Sequence, residues 1–190
     1  MGGAPRLSNA DGEFLVRLAA ATVQARLGGT LADGRLPSSP DLLRAGCSFV
    51  TLHRDGGLRG CIGSLEAARP LYRDVARNAS GAMTDPRMPP LTADEWPELS
   101  VSVSVLGRAE PVAARSLREL GRQLRPYVDG LILSEGWRQA TFLPAVWAKL
   151  PDPADFLAAL LAKGGWAVNR LPPGIRAHRY SVAEFHSVAS

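Results

Sequence analysis

Apolar positions recur along this chain with two different periods. Phe14, Leu15, Leu18, Thr22 and Ala25 follow helical spacing. Ser8, with Asp11 three residues on, supplies a start signal, and Gly28-Gly29 a stop. Residues 29–40 read as a turn-rich loop around Pro37-Ser38-Ser39-Pro40. Two β-prone runs follow, Phe49 to Arg54 and Leu58 to Gly63, flanking Asp55-Gly56-Gly57. That pattern predicts a β-hairpin.

Matching its apolar sets, Val50 and Leu52 against Leu58 and Ile62, requires an odd loop. A three-residue loop with Gly57 in the left-handed conformation meets that need. The opposite face then carries Thr51 across from Cys61 and His53 across from Arg59, with Gly60 and Gly63 adding no bulk. Glycines inside a strand imply the close approach of another backbone or a ligand.

Farther on, Pro70 opens a helix with a stripe of Leu71, Val75, Ala79 and Ala82. The segment Asp85-Pro86-Arg87-Met88-Pro89-Pro90-Leu91 is too proline-rich for helix or central strand and reads as a rigid loop. Thr92 and Glu95 form a capping box for a short turn ended by Pro97. Leu99 to Leu106 alternates valine with serine, predicting a strand. Ser116 opens a helix reaching about Arg125. Leu131–Ser134 and Trp137–Leu143 make a second hairpin about Glu135-Gly136. Asp152-Pro153 starts a helix with Phe156, Leu157, Leu160 and Leu161 on its buried face, stopped by Gly164-Gly165. Residues 175–182 read as one last strand. Hairpins mixed with helices, without regular alternation, predict an α+β fold with mainly antiparallel sheets and flanking helices.

Composition narrows the function classes. The 190 residues, 46% hydrophobic and 21% charged, fit one domain or two lobes of an ordinary globular protein. No apolar run reaches the roughly 20 residues that span a bilayer, and the N-terminus lacks the apolar stretch of a signal peptide. A cytoplasmic location and no membrane contact are expected. The net charge of +4 is modest, and no basic run or aromatic-studded motif points to nucleic acid. Cys47 falls about four residues along the hairpin from Cys61, roughly 13 Å at strand rise, too far for a disulfide. His53, His178 and His186 add no ligand spacing, and no triple-cysteine motif is present, so neither metal nor cofactor is expected.

Cys61 is the sharpest chemical candidate: a thiol near a guanidinium is a nucleophile, whereas a thiol merely packed is a small hydrophobe. Arg59 either binds a carboxylate or phosphate or pairs with an acid such as Asp85 or Glu98. His53 either acts as a base for Cys61 or stands idle near the turn. Asp85 and Arg87 either reach the same site or lock their own loop. Thr51, Gly60, Gly63, Ser102 and Ser104 complete the candidate lining.

The run Leu58-Arg59-Gly60-Cys61-Ile62-Gly63, preceded by Phe49-Val50-Thr51-Leu52, resembles the signature of the AMMECR1 family. Its bacterial and archaeal members are called AmmeMemoRadiSam system protein A. Similar segments follow in the family's order: Asp85 to Leu91, Ser102 to Leu106, Phe142-Leu143-Pro144, and Phe156-Leu157 leading to Lys163. Met88 stands where phenylalanine is usual, Ala145 where glutamine is common and Gly164 where alanine is common, and the stretch after Gly165 matches poorly. The resemblance implies a two-lobed fold over residues 8–186 with flexible ends, 1–7 and 187–190, and the motif at a cleft near residues 58–63. It implies a Memo-like protein and a radical SAM protein as partners. Three functions follow in order: an enzyme or enzyme component acting on a small-molecule ligand through Cys61 and Arg59; a non-catalytic module docking a partner backbone on the glycine-lined strand; and, least favoured, a nucleic-acid binder.

Overall fold

The computed structural model describes residues 7–29 and 36–187. Half of the expected loop at 29–40, residues 30–35, lies outside them, as do the expected flexible ends apart from Leu7 and Ser187. Ser187 is tied to Val101 by two hydrogen bonds. The chain forms two compact units, one from Arg6–Leu106 with Ala183–Ser190 and the other from Gly107–Val182. Each has its own sheet and its own apolar core. The fold is α+β, with antiparallel strand pairing in both sheets.

In the first unit, α1 (Asn9–Arg26) starts at Ser8, whose hydroxyl accepts the Asp11 N–H while the Asp11 carboxylate accepts the Ser8 N–H. Its buried face is rotated from the expected one: Gly12, Leu15, Val16, Ala19 and Val23 pack inward, while Leu18, Thr22 and Ala25 are half-exposed. The small residues made that face hard to see. The Phe185 ring occupies the space that a side chain on Gly12 would need. After the short α2 (Pro40–Leu43), β1 (Ser48–Arg54) and β2 (Gly57–Gly63) form the hairpin, and α3 (Leu71–Ala82) lays Leu71, Val75, Ala79 and Ala82 on the core. A 3₁₀ turn (Ala93–Glu98) carries the expected capping box of Thr92 and Glu95 and leads into β3 (Leu99–Leu106).

The second unit contains β4 (Glu110–Val112), α4 (Leu117–Gln123), the hairpin β5 (Gly130–Glu135) and β6 (Arg138–Phe142), a 3₁₀ turn (Pro144–Ala148), α5 (Pro153–Lys163) and β7 (Arg176–Tyr180). Its core stacks Trp147 on Phe156. Gly164 has a packing reason, because the Trp166 indole fills the space of a methyl group there, and its N–H donates to Glu135.

The expected single last strand is two. The run divides at Ser181 into β7 and β8 (Val182–His186). The sheets run β2-β1-β3-β8 and β4-β7-β5-β6, so these consecutive strands serve different sheets. Each unit offers its own sheet for a strand to join. No helix among the described residues is long and apolar enough to cross a membrane.

Candidate functional site

The motif hairpin pairs Val50 with Ile62, Thr51 with Cys61 and Leu52 with Gly60, as expected up to that point. Beyond it the register changes: His53 faces Leu58 and Arg54 faces Gly57. Arg59 is therefore a bulged residue rather than the partner of His53. The connection is a two-residue turn in which Asp55 (φ 51°) and Gly56 (φ 73°) are both left-handed. That geometry matches strand twist, and Gly57 needs no special conformation. The expectation failed because it placed Leu58 in the core. The bulge turns Leu58 onto the His53 side, where it is 45% exposed.

Two strand glycines accommodate the protein's own atoms. A methyl on Gly60 would overlap the Ala82 carbonyl oxygen at the end of α3, and one on Gly63 would overlap the Phe49 ring. Backbone and aromatic packing thus account for both.

Cys61 is held at three points. Its N–H donates to Asp85 Oδ2 at 2.9 Å, and its carbonyl accepts from Arg87 Nη2 at 3.3 Å. Thr51 Oγ1 donates to its Sγ at 3.2 Å. Since the Cys61 N–H points to Asp85, Thr51 and Cys61 form a non-hydrogen-bonded cross-strand pair, the kind that brings side chains closest. Strand β2 is a sheet edge, and Asp85 and Arg87 occupy its outward backbone groups at Cys61 as a neighbouring strand would.

The Asp85 carboxylate is buried and accepts four hydrogen bonds, from Cys61 N, Arg87 N, Arg87 Nε and Arg87 Nη2. The Arg87 guanidinium foremost, and then the two backbone N–H groups, outweigh burial and hold this carboxyl well below the usual carboxylate range. The two sequence readings of Asp85 and Arg87 therefore coincide: the pair locks its own loop and, through the same atoms, grips the Cys61 backbone.

Arg59 is directed elsewhere. Its Nε and Nη2 donate to both oxygens of Glu95 at 2.6 and 2.7 Å, and Nη1 and Nη2 donate to the carbonyls of Pro89 and Pro90. The Arg59 guanidinium and the Thr92 backbone N–H hold the Glu95 carboxyl down to about 2. Arg54 adds a second cation, bonding Glu98 and Glu95. Arg59 thus pairs with an acid, but with Glu95 rather than Asp85 or Glu98. Glu95 was visible in the sequence only as a capping-box residue; its spacing carried no sign of a guanidinium 36 positions earlier.

His53 Nε2 lies 3.3 Å from Ser102 Oγ, on the strand face that also carries Thr51 and Cys61. Ser102 and Ser104 are both buried. Burial, then the charges of Asp74 and Glu66, push the Cys47 thiol up to about 11. Neither cysteine is in a disulfide.

Sequence reasoning also missed a buried polar knot beside the hairpin. Asp74 accepts from Ser48 N, Ser48 Oγ, Ser64 Oγ, Asn78 Nδ2 and Arg69 Nη1. It ties the start of β1 and the segment after β2 to α3. Asp74 and Asn78 sit at the spacing of the apolar stripe, which was their only signal. No group of described residues is arranged to hold a metal ion.

The chain is a two-sheet α+β protein whose sheet-edge cysteine is gripped by an aspartate–arginine loop. The AMMECR1 family model matches residues 16–185, and the chain belongs to the AMMECR1 family. A protein of Methanothermobacter thermautotrophicus is 36% identical over 185 residues, covering 95% of this chain and 96% of that one. Protein MJ0810 of Methanocaldococcus jannaschii is 33% identical, covering 94% and 90%. The crystal structure of the uncharacterized protein PH0010 from Pyrococcus horikoshii superposes with a TM-score of 0.85 at 31% identity, covering 93% of this chain and 91% of that one.

Proposed function

We propose that this AMMECR1-family chain is an enzyme, or an enzyme component, whose reactive group is the Cys61 thiol acting as a nucleophile on a small activated substrate. One observation carries the reading: the Thr51 hydroxyl donates to Cys61 Sγ while the Arg87 guanidinium is bonded to the same residue's carbonyl. The hydroxyl donor favours the thiolate, which is the nucleophilic form, while the Arg87 charge is balanced by the Asp85 carboxylate bonded to it. Arg87 is held by Asp85 through Nε and Nη2 but keeps an exposed side chain with which to meet an anionic substrate group, whereas Arg59 is largely buried with all three guanidinium nitrogens engaged. His53, oriented by Ser102, is the candidate proton carrier on the same face. The docking-module reading loses its support, since the backbone edge at Cys61 and the space above both glycines are filled from within. The family resemblance is the ground for placing the chain beside a Memo-like protein and a radical SAM protein as an AmmeMemoRadiSam system protein A.

The test is the pH dependence of alkylation of the two cysteines in the folded protein, followed by mass spectrometry. Cys61 should react near neutral pH and Cys47 only in strong alkali, and Thr51→Val should move the Cys61 profile upward. A Cys61 no more reactive than Cys47 would overturn the nucleophile assignment.

A further inference from the structure

The Gly107–Val182 unit contains a cavity of about 690 Å³ that has no part in the chemistry above. It lies where β4 stops pairing at Val112 opposite Ala177 while β7 continues to Arg176. Val112, Leu120, Leu171 and Ile175 give it apolar walls, and Arg115, Arg176 and His178 stand among the lining residues. Arg176 and His178 alternate with Ala177 on β7 and so share the strand face opposite the one that Ala177 and its partner Val112 turn to the core, with Arg176 exposed to solvent. Among the described residues, neither Arg115 nor Arg176 is engaged in an ion pair. The one lining carboxylate, Glu119, accepts the Arg115 backbone N–H at 2.8 Å and is anchored to the chain there.

A second cavity of about 570 Å³ in the same unit is lined by Arg118 and Arg122 together with Asp152 and Asp155, so its charges balance. The larger cavity keeps an excess of positive charge, from exposed arginines, beside its apolar wall residues. Cavities of this volume, apolar with a few convergent polar groups, are the usual form of small-molecule sites.

We propose that the larger cavity binds an organic anion with an apolar body, the Arg115 and Arg176 guanidiniums taking the carboxylate, sulfonate or phosphate end and Val112, Leu120, Leu171 and Ile175 taking the rest. Arginine suits this task because its planar fork meets such groups with two donors.

Naphthoate and its uncharged analogue naphthamide, titrated into the full chain by calorimetry with NMR mapping, test the proposal. Naphthoate should bind saturably, about tenfold or more tighter than naphthamide, as expected for a charge-assisted contact. The perturbed signals should include Ala114, Leu171 and Ala177. Arg115→Gln combined with Arg176→Gln should remove that preference while melting is unchanged, and Arg118→Gln combined with Arg122→Gln should leave it intact. Equal binding of the two probes, no saturable binding of naphthoate, signals that move only elsewhere, or a preference surviving loss of both arginines would each overturn it.

Discussion

Asp85 Oδ2 accepts the backbone N–H of Cys61 at 2.9 Å, joining residues 24 apart in the chain. The same carboxylate holds Arg87, whose guanidinium returns to the Cys61 carbonyl. One loop thus closes both backbone valences of the motif cysteine. The Asp-Pro-Arg segment and the glycine–cysteine strand are two halves of one device, and the bulge at Arg59 lets a neighbouring arginine leave it.

Removing that carboxylate should be costly. Asp85→Ala leaves the Cys61 N–H without its acceptor and the Arg87 guanidinium without its charge partner. A loss on the order of 3 kcal/mol is expected in urea unfolding, while Asp85→Asn, which keeps an acceptor oxygen, should cost less. Equal losses for the two variants would show that the N–H acceptor contributes nothing.

Acid stability should follow Glu95. Its carboxyl binds protons more weakly in the folded chain than in the unfolded one, being held to about 2 from an ordinary 4.5. The stabilisation is therefore complete above the unfolded value and disappears as pH falls through that interval. Glu95→Gln should be less stable than the parent at neutral pH, and the gap should narrow between about pH 4.5 and 2. Asp85, lowered by Arg87 in the same sense, should extend the parent's acid loss further down.

Gly60 and Gly63 should respond unequally to a methyl group. At Gly60 the obstacle is the Ala82 carbonyl, fixed at the end of a helix, so Gly60→Ala should destabilise by about 3 kcal/mol or prevent folding. At Gly63 the obstacle is the Phe49 ring, which can turn aside, so Gly63→Ala should cost about 1–2 kcal/mol. Thermal melts of the two variants give the comparison directly.

Two non-glycine residues sit in the left-handed region, Asp55 at φ 51° and Tyr127 at φ 65°. Asparagine tolerates that conformation and suits the first position of this turn, so Asp55→Asn should be neutral or stabilising by a few tenths of a kcal/mol, about 1 °C in melting. A β-branched Asp55→Val should lose about 1–2 kcal/mol. Tyr127→Gly should raise the melting temperature by about 2–4 °C if the strain is near 1 kcal/mol.

Much of the chain is legible in its sequence. Ser8 with Asp11, Thr92 with Glu95, and Asp152 with Pro153 each announce a helical start within four residues, and all three appear where expected. The alternation of Leu99 to Leu106 became β3 with those bounds. The Thr51–Cys61 pairing was also accessible, because strand pairing copies a period of two and the apolar sets there are unambiguous. The errors lie where a short-range rule met a competing one. Leu58 looked like core but follows a bulge, and residues 175–182 looked like one strand but serve two sheets.

Local chemistry therefore specified the elements: caps, turns and periodicities act over a few residues and are complete in the sequence. Tertiary structure alone decided which charges meet. Arg59 chose Glu95 across 36 residues and Asp85 chose the Cys61 N–H across 24, because only packing fixes which acceptor comes within 3 Å of a donor. The same holds for Gly60 and Gly63: the sequence shows that something must come close, and the fold determines that it is the Ala82 carbonyl and the Phe49 ring.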